Sequence, residues 1–190
     1  AAEREAKIAE RTGDEYDKLI AEGIRYASKL DYRKEAKIYR AAIALKPDAP
    51  VAYYNLGTVL NSSGHTVEAA QRYLEARERV KEGSQKWAEA TAASFDKLRR
   101  PACDEVAKPA WWNDEGLKAL SARVVRAAPN GGAAHIMRAR VLSGASRAWE
   151  AGPRSAAELK EAAKHYERSA ELCPAPVLKA QRIELVAWCR

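Results

Sequence analysis

Apolar residues recur along this chain mostly at the three- and four-residue spacing of a helix face, so helical periodicity dominates the pattern. A charged helix is expected over about 2–11, ending near Thr12-Gly13, because glycine takes left-handed dihedrals at no steric cost. A second helix follows from about Asp14 to Leu30, and a third from about Tyr32 to Leu45. Lys46-Pro47-Asp48-Ala49-Pro50 stops the third, since proline cannot continue a helix interior. Ala52 to Leu60 and Val67 to Ala76 read as two helices around the turn Ser62-Ser63-Gly64-His65. Beyond them the pattern predicts helices over Gln85–Leu98, Gly116–Ala128, Ala133–Leu142, Ala156–Leu172 and about 176–190. Ser155-Ala156-Ala157-Glu158 has the form of a capping box and fixes one of these starts.

A longer period overlies the short one. Gly23 and Gly57 are 34 residues apart, as are Tyr26 and Leu60, Tyr39 and Tyr73, and Ala42 and Ala76. A fixed period of this length marks stacked helical hairpins. Tyr53, Leu56, Gly57 and Leu60 in one helix, and Ala69, Tyr73 and Ala76 in the next, resemble the consensus of the tetratricopeptide (TPR) family. Small residues at 57 and 69 let two helices approach, and tyrosines at 53 and 73 fill space between layers. The preceding unit matches at Gly23, Tyr26, Tyr39, Ala42 and Pro47, but Glu35 stands where Ala69 stands in its neighbour. Ala162, Tyr166, Ser169 and Pro174 return to the family places late in the chain.

The resemblance implies an all-α fold, a right-handed superhelical stack of antiparallel helix pairs. This TPR-like α-solenoid would hold about four pairs plus terminal helices. The implied order is an N-terminal helix (1–13), repeat 1 (14–49), repeat 2 (50–82) and a divergent pair (83–130) with a long connection at 101–113. A repeat (131–174) with an insertion at 143–154 and a capping helix (175–190) complete it. The stretch Lys108-Pro109-Ala110-Trp111-Trp112-Asn113-Asp114-Glu115 and the helix from Arg154 to Ala163 are also similar to uncharacterised TPR proteins of unicellular algae.

Composition narrows the setting. Hydrophobic residues make up 47% and charged residues 31%, which suits a folded chain rather than a disordered one. Net charge is +7, but the signs alternate, as in Glu75-Ala76-Arg77-Glu78-Arg79, and read as solvated helix faces. Three cysteines at 103, 173 and 189 lack framework spacing, which points to a reducing compartment. No apolar run reaches the roughly 18–20 residues of a membrane span, and no signal peptide is visible. A soluble intracellular protein of the cytosol or an organelle interior, the chloroplast included, is expected. The start at Ala1-Ala2-Glu3 fits a processed form or a piece of a longer chain.

Catalytic, cofactor and metal chemistry find no constellation. His65, His135 and His165 lie in one turn and two helices, without zinc spacing. His135 falls in an aromatic place and reads as a packed core histidine. Cys103 is expected to be the most exposed thiol, but no activating base accompanies it. The candidate partner-binding residues fall in two sets. The exposed side of each first helix gives Ile20 and Ile24, then Tyr54, Asn55, Thr58 and Asn61. The insertions give Trp111, Trp112 and Trp149, which either fold back to fill the groove or cover an end of the stack, or serve as partner anchors, since tryptophan is enriched at energetic centres of interfaces. One TPR branch grips a chaperone's terminal carboxylate with Lys, Asn and Arg. Here only Asn55 matches, while Ile20 and Ile24 occupy two of its polar places. The groove is therefore expected to take a helix or extended segment with apolar anchors.

The leading expectation is a non-enzymatic interaction scaffold or adaptor for a protein partner. The alternative is a permanent linker subunit of a larger complex, with an organellar, photosynthetic one as a candidate. An RNA-binding helical repeat ranks third, and an enzyme last.

Overall fold

The computed structural model describes residues 2–146, 152–173 and 175–189, of which 2–10, 12, 176–179 and 188 are described by backbone alone. Among the described residues all regular structure is helical: nine α-helices and one short 3-10 turn. They are α1 (Ala2–Ala27), α2 (Tyr32–Leu45), α3 (Pro50–Ser62), α4 (Thr66–Glu78), α5 (Gln85–Leu98), α6 (Asp114–Ala127), α7 (Gly132–Leu142), α8 (Ala156–Glu171) and α9 (Pro176–Trp188). The chain divides into two compact units, Ala1–Val80 and Lys81–Arg190.

In the first unit, α1 pairs with α2 and α3 with α4. The expected stop at Thr12-Gly13 does not occur, and α1 runs through it without a break. A glycine inside a helix costs only about 1 kcal/mol, too little to end one with helix formers on both sides. The true stop is Leu30, held at φ 57 in the left-handed region, so the helix closes at Ala27. Asp31 then accepts from the Lys34 backbone N–H and caps α2.

The 34-residue echo has a packing cause. A Cβ at position 23 would lie 2.4 Å from Tyr39 Cε1, and one at position 57 would lie 2.9 Å from Tyr73 Cε1. Each hairpin thus seats a tyrosine of its second helix against a glycine of its first. Tyr39 is 2% exposed and Tyr73 is 5% exposed, so neither ring has room to withdraw. The Tyr73 hydroxyl donates to Thr58 Oγ1 across α3 and α4, at 3.2 Å. Tyr16 of α1 accepts from the Ala52 backbone N–H at 3.3 Å. That amide lies in the first turn of α3, where no helical carbonyl is available to it. Arg79 lies over the Tyr53 ring at 4.1 Å and donates to the Pro47 carbonyl at 2.8 Å. The link between α2 and α3 is thereby tied to the end of α4.

Glu35 is buried, and burial pushes its carboxyl group up from the ordinary range. The repeat's small-residue place is thus filled by a carboxyl group drawn in from water, which is how this hairpin diverges.

In the second unit, α7 and α8 form the tightest hairpin, and α8 also packs on α9. Ala139, Leu142, Ala162, Ala163, Tyr166, Val186 and Cys189 make its core. The capping box forms: the Ser155 hydroxyl accepts from the Glu158 N–H, and the Glu158 carboxylate accepts from the Ser155 N–H. The long connection starts with a 3-10 turn at Pro101–Cys103 and ends at Asn113, whose side chain caps α6. Gly116, in the first turn of α6, leaves room for the Trp111 carbonyl, which a Cβ would meet at 2.7 Å.

Candidate interaction surfaces

The predicted groove residues of the first unit occupy different depths. Ile24 is 57% exposed, one of several large apolar side chains that face water. Ile20, one turn earlier, is half-buried against the cluster of Tyr16, Ala42 and Ala52. Tyr54 is half-buried, with its ring edge-on to Tyr73 at 5.2 Å between centroids. Asn55 is half-buried, with its side chain beside the Tyr39 hydroxyl. Burial and the nearby Glu35 hold that phenol up at about 12, so it stays protonated beside Asn55. Thr58 and Asn61 are exposed; the Thr58 hydroxyl accepts from Tyr73 and donates to the Tyr54 carbonyl. The face thus offers two exposed apolar side chains, Ile24 and Val51, a tyrosine edge, a threonine hydroxyl tethered by internal hydrogen bonds, and the exposed Asn61.

The tryptophans separate. Trp112 is buried, packed on Phe95 at 5.5 Å, with Lys108 over its ring at 5.5 Å. It fills the second unit's interior, as the fold-back reading expects, and a partner could reach it only by opening that core, which removes it as an exposed anchor. Trp111 is half-buried beside it. Trp149 lies outside the described residues. Cys103 corrects a second expectation. It is fully buried, and burial pushes its thiol up from the ordinary range. Its carbonyl accepts from Lys108 Nζ, so the connection folds back on itself rather than presenting the thiol to solvent.

The second unit also contains charge clusters that sequence spacing did not reveal. At the start of α6, Asp114 pairs with Arg154 at 2.5 Å and with Lys118 at 2.9 Å, and Lys118 reaches Glu158 at 2.6 Å. Hydrogen bonds from Lys118 and Ser155 bring the Glu158 carboxyl down to about 2. This lattice fastens the return of the insertion to α6 and α8. At the end of α5, Asp96 pairs with Lys97 at 2.8 Å, Arg140 at 2.6 Å and Arg100 at 3.4 Å. These cations hold its carboxyl well below the usual range despite burial.

The two helical histidines meet. His135 Nδ1 lies 2.8 Å from His165 Nδ1, and His135 Nε2 lies 2.9 Å from the Pro129 carbonyl. A carbonyl only accepts, so His135 Nε2 donates to it. The neutral His135 ring then accepts at Nδ1, and His165 Nδ1 donates. The packed core reading of His135 holds, since it is buried. Among the described residues, no group of three or more His, Cys, Asp or Glu could hold a metal. Burial and His135 push the His165 pKa down, and Glu161 opposes them. The unfolded ring takes its proton near pH 6.5, but the folded ring only at lower pH. Between those points the unfolded chain binds more protons, so stability rises with pH. Melting temperature is therefore expected to fall between about pH 7 and pH 5.5, and less so in His165→Gln. Equal slopes for the two proteins would show that the dyad carries none of the effect.

No protein-family model matches the chain, and no curated protein matches it. Solved structures do. A crystal structure of MamA protein superposes with a TM-score of 0.60 at 15% identity, covering 93% of this chain and 83% of that one. A second MamA crystal structure gives 0.56 at 16% identity, covering 87% and 82%. The fold is TPR-like. A structure described as YrrB, a TPR protein with an unusual peptide-binding site, covers 97% of this chain and 100% of that one, at 17% identity. Its TM-score of 0.37 leaves the fold assignment to the first two. The TPR-like fold accounts for the glycine–tyrosine contacts, since its consensus places small and aromatic residues on facing helices. Among the described residues no helix is long and apolar enough to cross a membrane.

Proposed function

We propose that this TPR-like chain is a non-enzymatic adaptor that holds a protein segment against the α1 and α3 faces of its first unit. The observation that carries this reading is the exposure of Ile24, at 57%, on the side of α1 that the repeat pattern assigns to the groove. Tyr54, Thr58 and Asn61 supply an aromatic edge and hydrogen-bonding groups on α3. A segment with one or two apolar anchors would bury Ile24 and bond to the polar groups between them. Trp111 is the second candidate contact, without Trp112. Trp149 retains its sequence-based role as a partner anchor in the insertion.

Crosslinking pull-down from the source cells tests this, comparing the native chain with Ile24→Asp. An aspartate there leaves the fold intact, because the side chain already faces water. Partner recovery is expected to fall about tenfold or more, the scale of a lost interface hot spot. Unchanged recovery with Ile24→Asp would remove the first-unit face from the reading. Recovery of one stoichiometric complex would instead favour a permanent linker subunit.

A further inference from the structure

The positive charge of this chain is unevenly distributed. Residues 1–80 hold 14 basic and 13 acidic residues, and residues 81–190 hold 19 and 13. Within the second unit the imbalance is sharpest at the end of α5. Lys97, Arg99 and Arg100 follow one another there, and α7 adds Arg140. Four cations are gathered, and Asp96 is the carboxylate they share. Three of them reach it.

Arg99 does not. It makes no side-chain hydrogen bond or ion pair with any described residue, and its Nε is covered by protein without an acceptor. Burial, then Arg140, then Arg100 disfavour its charge, with only Asp96 among the carboxylates opposing. A half-buried guanidinium that repels its neighbours does not stabilise a fold. Its Nε is sealed by protein, so an outside anion would meet only the terminal nitrogens, which are not covered in this way.

We propose that Arg99 and Arg100, backed by Lys97 and Arg140 that Asp96 already holds, form a docking site for the carboxylates of an acidic protein segment. This site lies in the second unit and shares no residue with the Ile24 face. It rests on the adaptor reading only in taking the anion to be part of a protein. The chemistry favours carboxylates carried on a segment. The cluster already holds Asp96 through charge-assisted hydrogen bonds, and the planar fork of arginine matches a second carboxylate. A free ion would trade its own hydration for one or two such bonds. A segment with several carboxylates gains several bonds for the ordering of one chain, within the field of the surrounding positive unit.

The test uses the full chain and a short fluorescein-labelled glutamate-rich peptide, with its glutamine counterpart as control, followed by fluorescence anisotropy at low and physiological salt. The glutamate peptide is expected to bind saturably and the glutamine peptide not to bind. Arg99→Met keeps the packed stem and removes the charge. It should weaken peptide binding about tenfold or more while leaving melting temperature unchanged or raised, as repulsion is relieved. Lys86→Met removes an exposed charge from the other end of α5 and should change binding by no more than about twofold. The proposal is overturned by the absence of peptide binding or by equal binding of the glutamine peptide. Equal losses in Arg99→Met and Lys86→Met would reduce the effect to a diffuse field. A clear drop in melting temperature for Arg99→Met would make Arg99 a structural residue. Displacement of the peptide by equimolar inorganic phosphate would make this a free-anion site. None of these results touches Ile24→Asp, so the two readings can fail separately.

Discussion

Gly23→Ala is expected to destabilise the first unit by about 2 kcal/mol, the middle of the usual cost of overpacking, although alanine is the better helix former. Propensity alone would stabilise by about 1 kcal/mol. The packing effect wins because the added methyl would sit 2.4 Å from one carbon of the Tyr39 ring and 2.5 Å from another. A flexible side-chain end could swing away, but this ring is 2% exposed and has no room to do so. Gly57→Ala meets Tyr73 at 2.9 Å and should cost less. Urea denaturation followed by circular dichroism gives the comparison. A double-mutant cycle identifies the cause. Tyr39→Phe keeps the ring and should not rescue Gly23→Ala, whereas Tyr39→Leu should recover part of the loss. A midpoint for Gly23→Ala at or above that of the native chain would refute the packing explanation.

The second large effect is expected at Asp96→Asn. The substitution keeps shape and removes the one carboxylate that Lys97, Arg100 and Arg140 share. The Asp96 and Arg140 side chains are 23% and 21% exposed, so water replaces little of the lost attraction. Breaking such a pair from one side costs about 3 kcal/mol, at the lower end of the range for buried pairs. Replacing Asp96 and Arg140 together by leucine should recover only part of that cost, because Arg140 is then no longer stranded but Lys97 and Arg100 still lose their carboxylate. The linkage has the same sign as that of the histidine dyad and lies in a more acid window. A depressed carboxyl stabilises at pH values above its unfolded value near 3.9, and that stability is lost as pH falls through the lower folded value. Melting of Asp96→Asn should therefore decline less steeply than that of the native chain across the acid range, where Glu158 and Asp114 still contribute. A similar acid decline in both proteins would remove Asp96 as its source.

Local chemistry was legible in the sequence where neighbours along the chain decide the outcome. The bounds of α2 and α5 follow from Pro47, Ser84 and the apolar spacing, and the capping box at Ser155 forms as its four residues predict. The all-helical, TPR-like fold was legible because its consensus is a spacing of small and large residues, each with a direct packing cause. What escaped depends on partners far apart in sequence. Trp111 and Trp112 are adjacent and look alike, and only Phe95 and Lys108 decide that the second goes inside. His135 and His165 are 30 residues apart, in two helices that the hairpin brings face to face. Arg99 and Arg100 fit the negative end of a helix dipole, a local reading that gives no hint of Arg140 across from them. The continuity of α1 through Gly13 was missed for a different reason, since a stop signal of about 1 kcal/mol is weaker than the helix it interrupts.

The uneven charge of the two units has a kinetic consequence. Long-range attraction raises the encounter rate of opposite charges and fades as salt shortens its reach to about 8 Å under physiological conditions. An acidic partner in dilute salt would be steered toward the end of the chain that carries most of the surplus. Contact at the nearly neutral Ile24 face would form at an ordinary, salt-indifferent rate. Ionic strength would then act on the two proposed contacts differently: added salt would slow capture by the basic unit and leave the rate of an apolar contact at Ile24 almost unchanged.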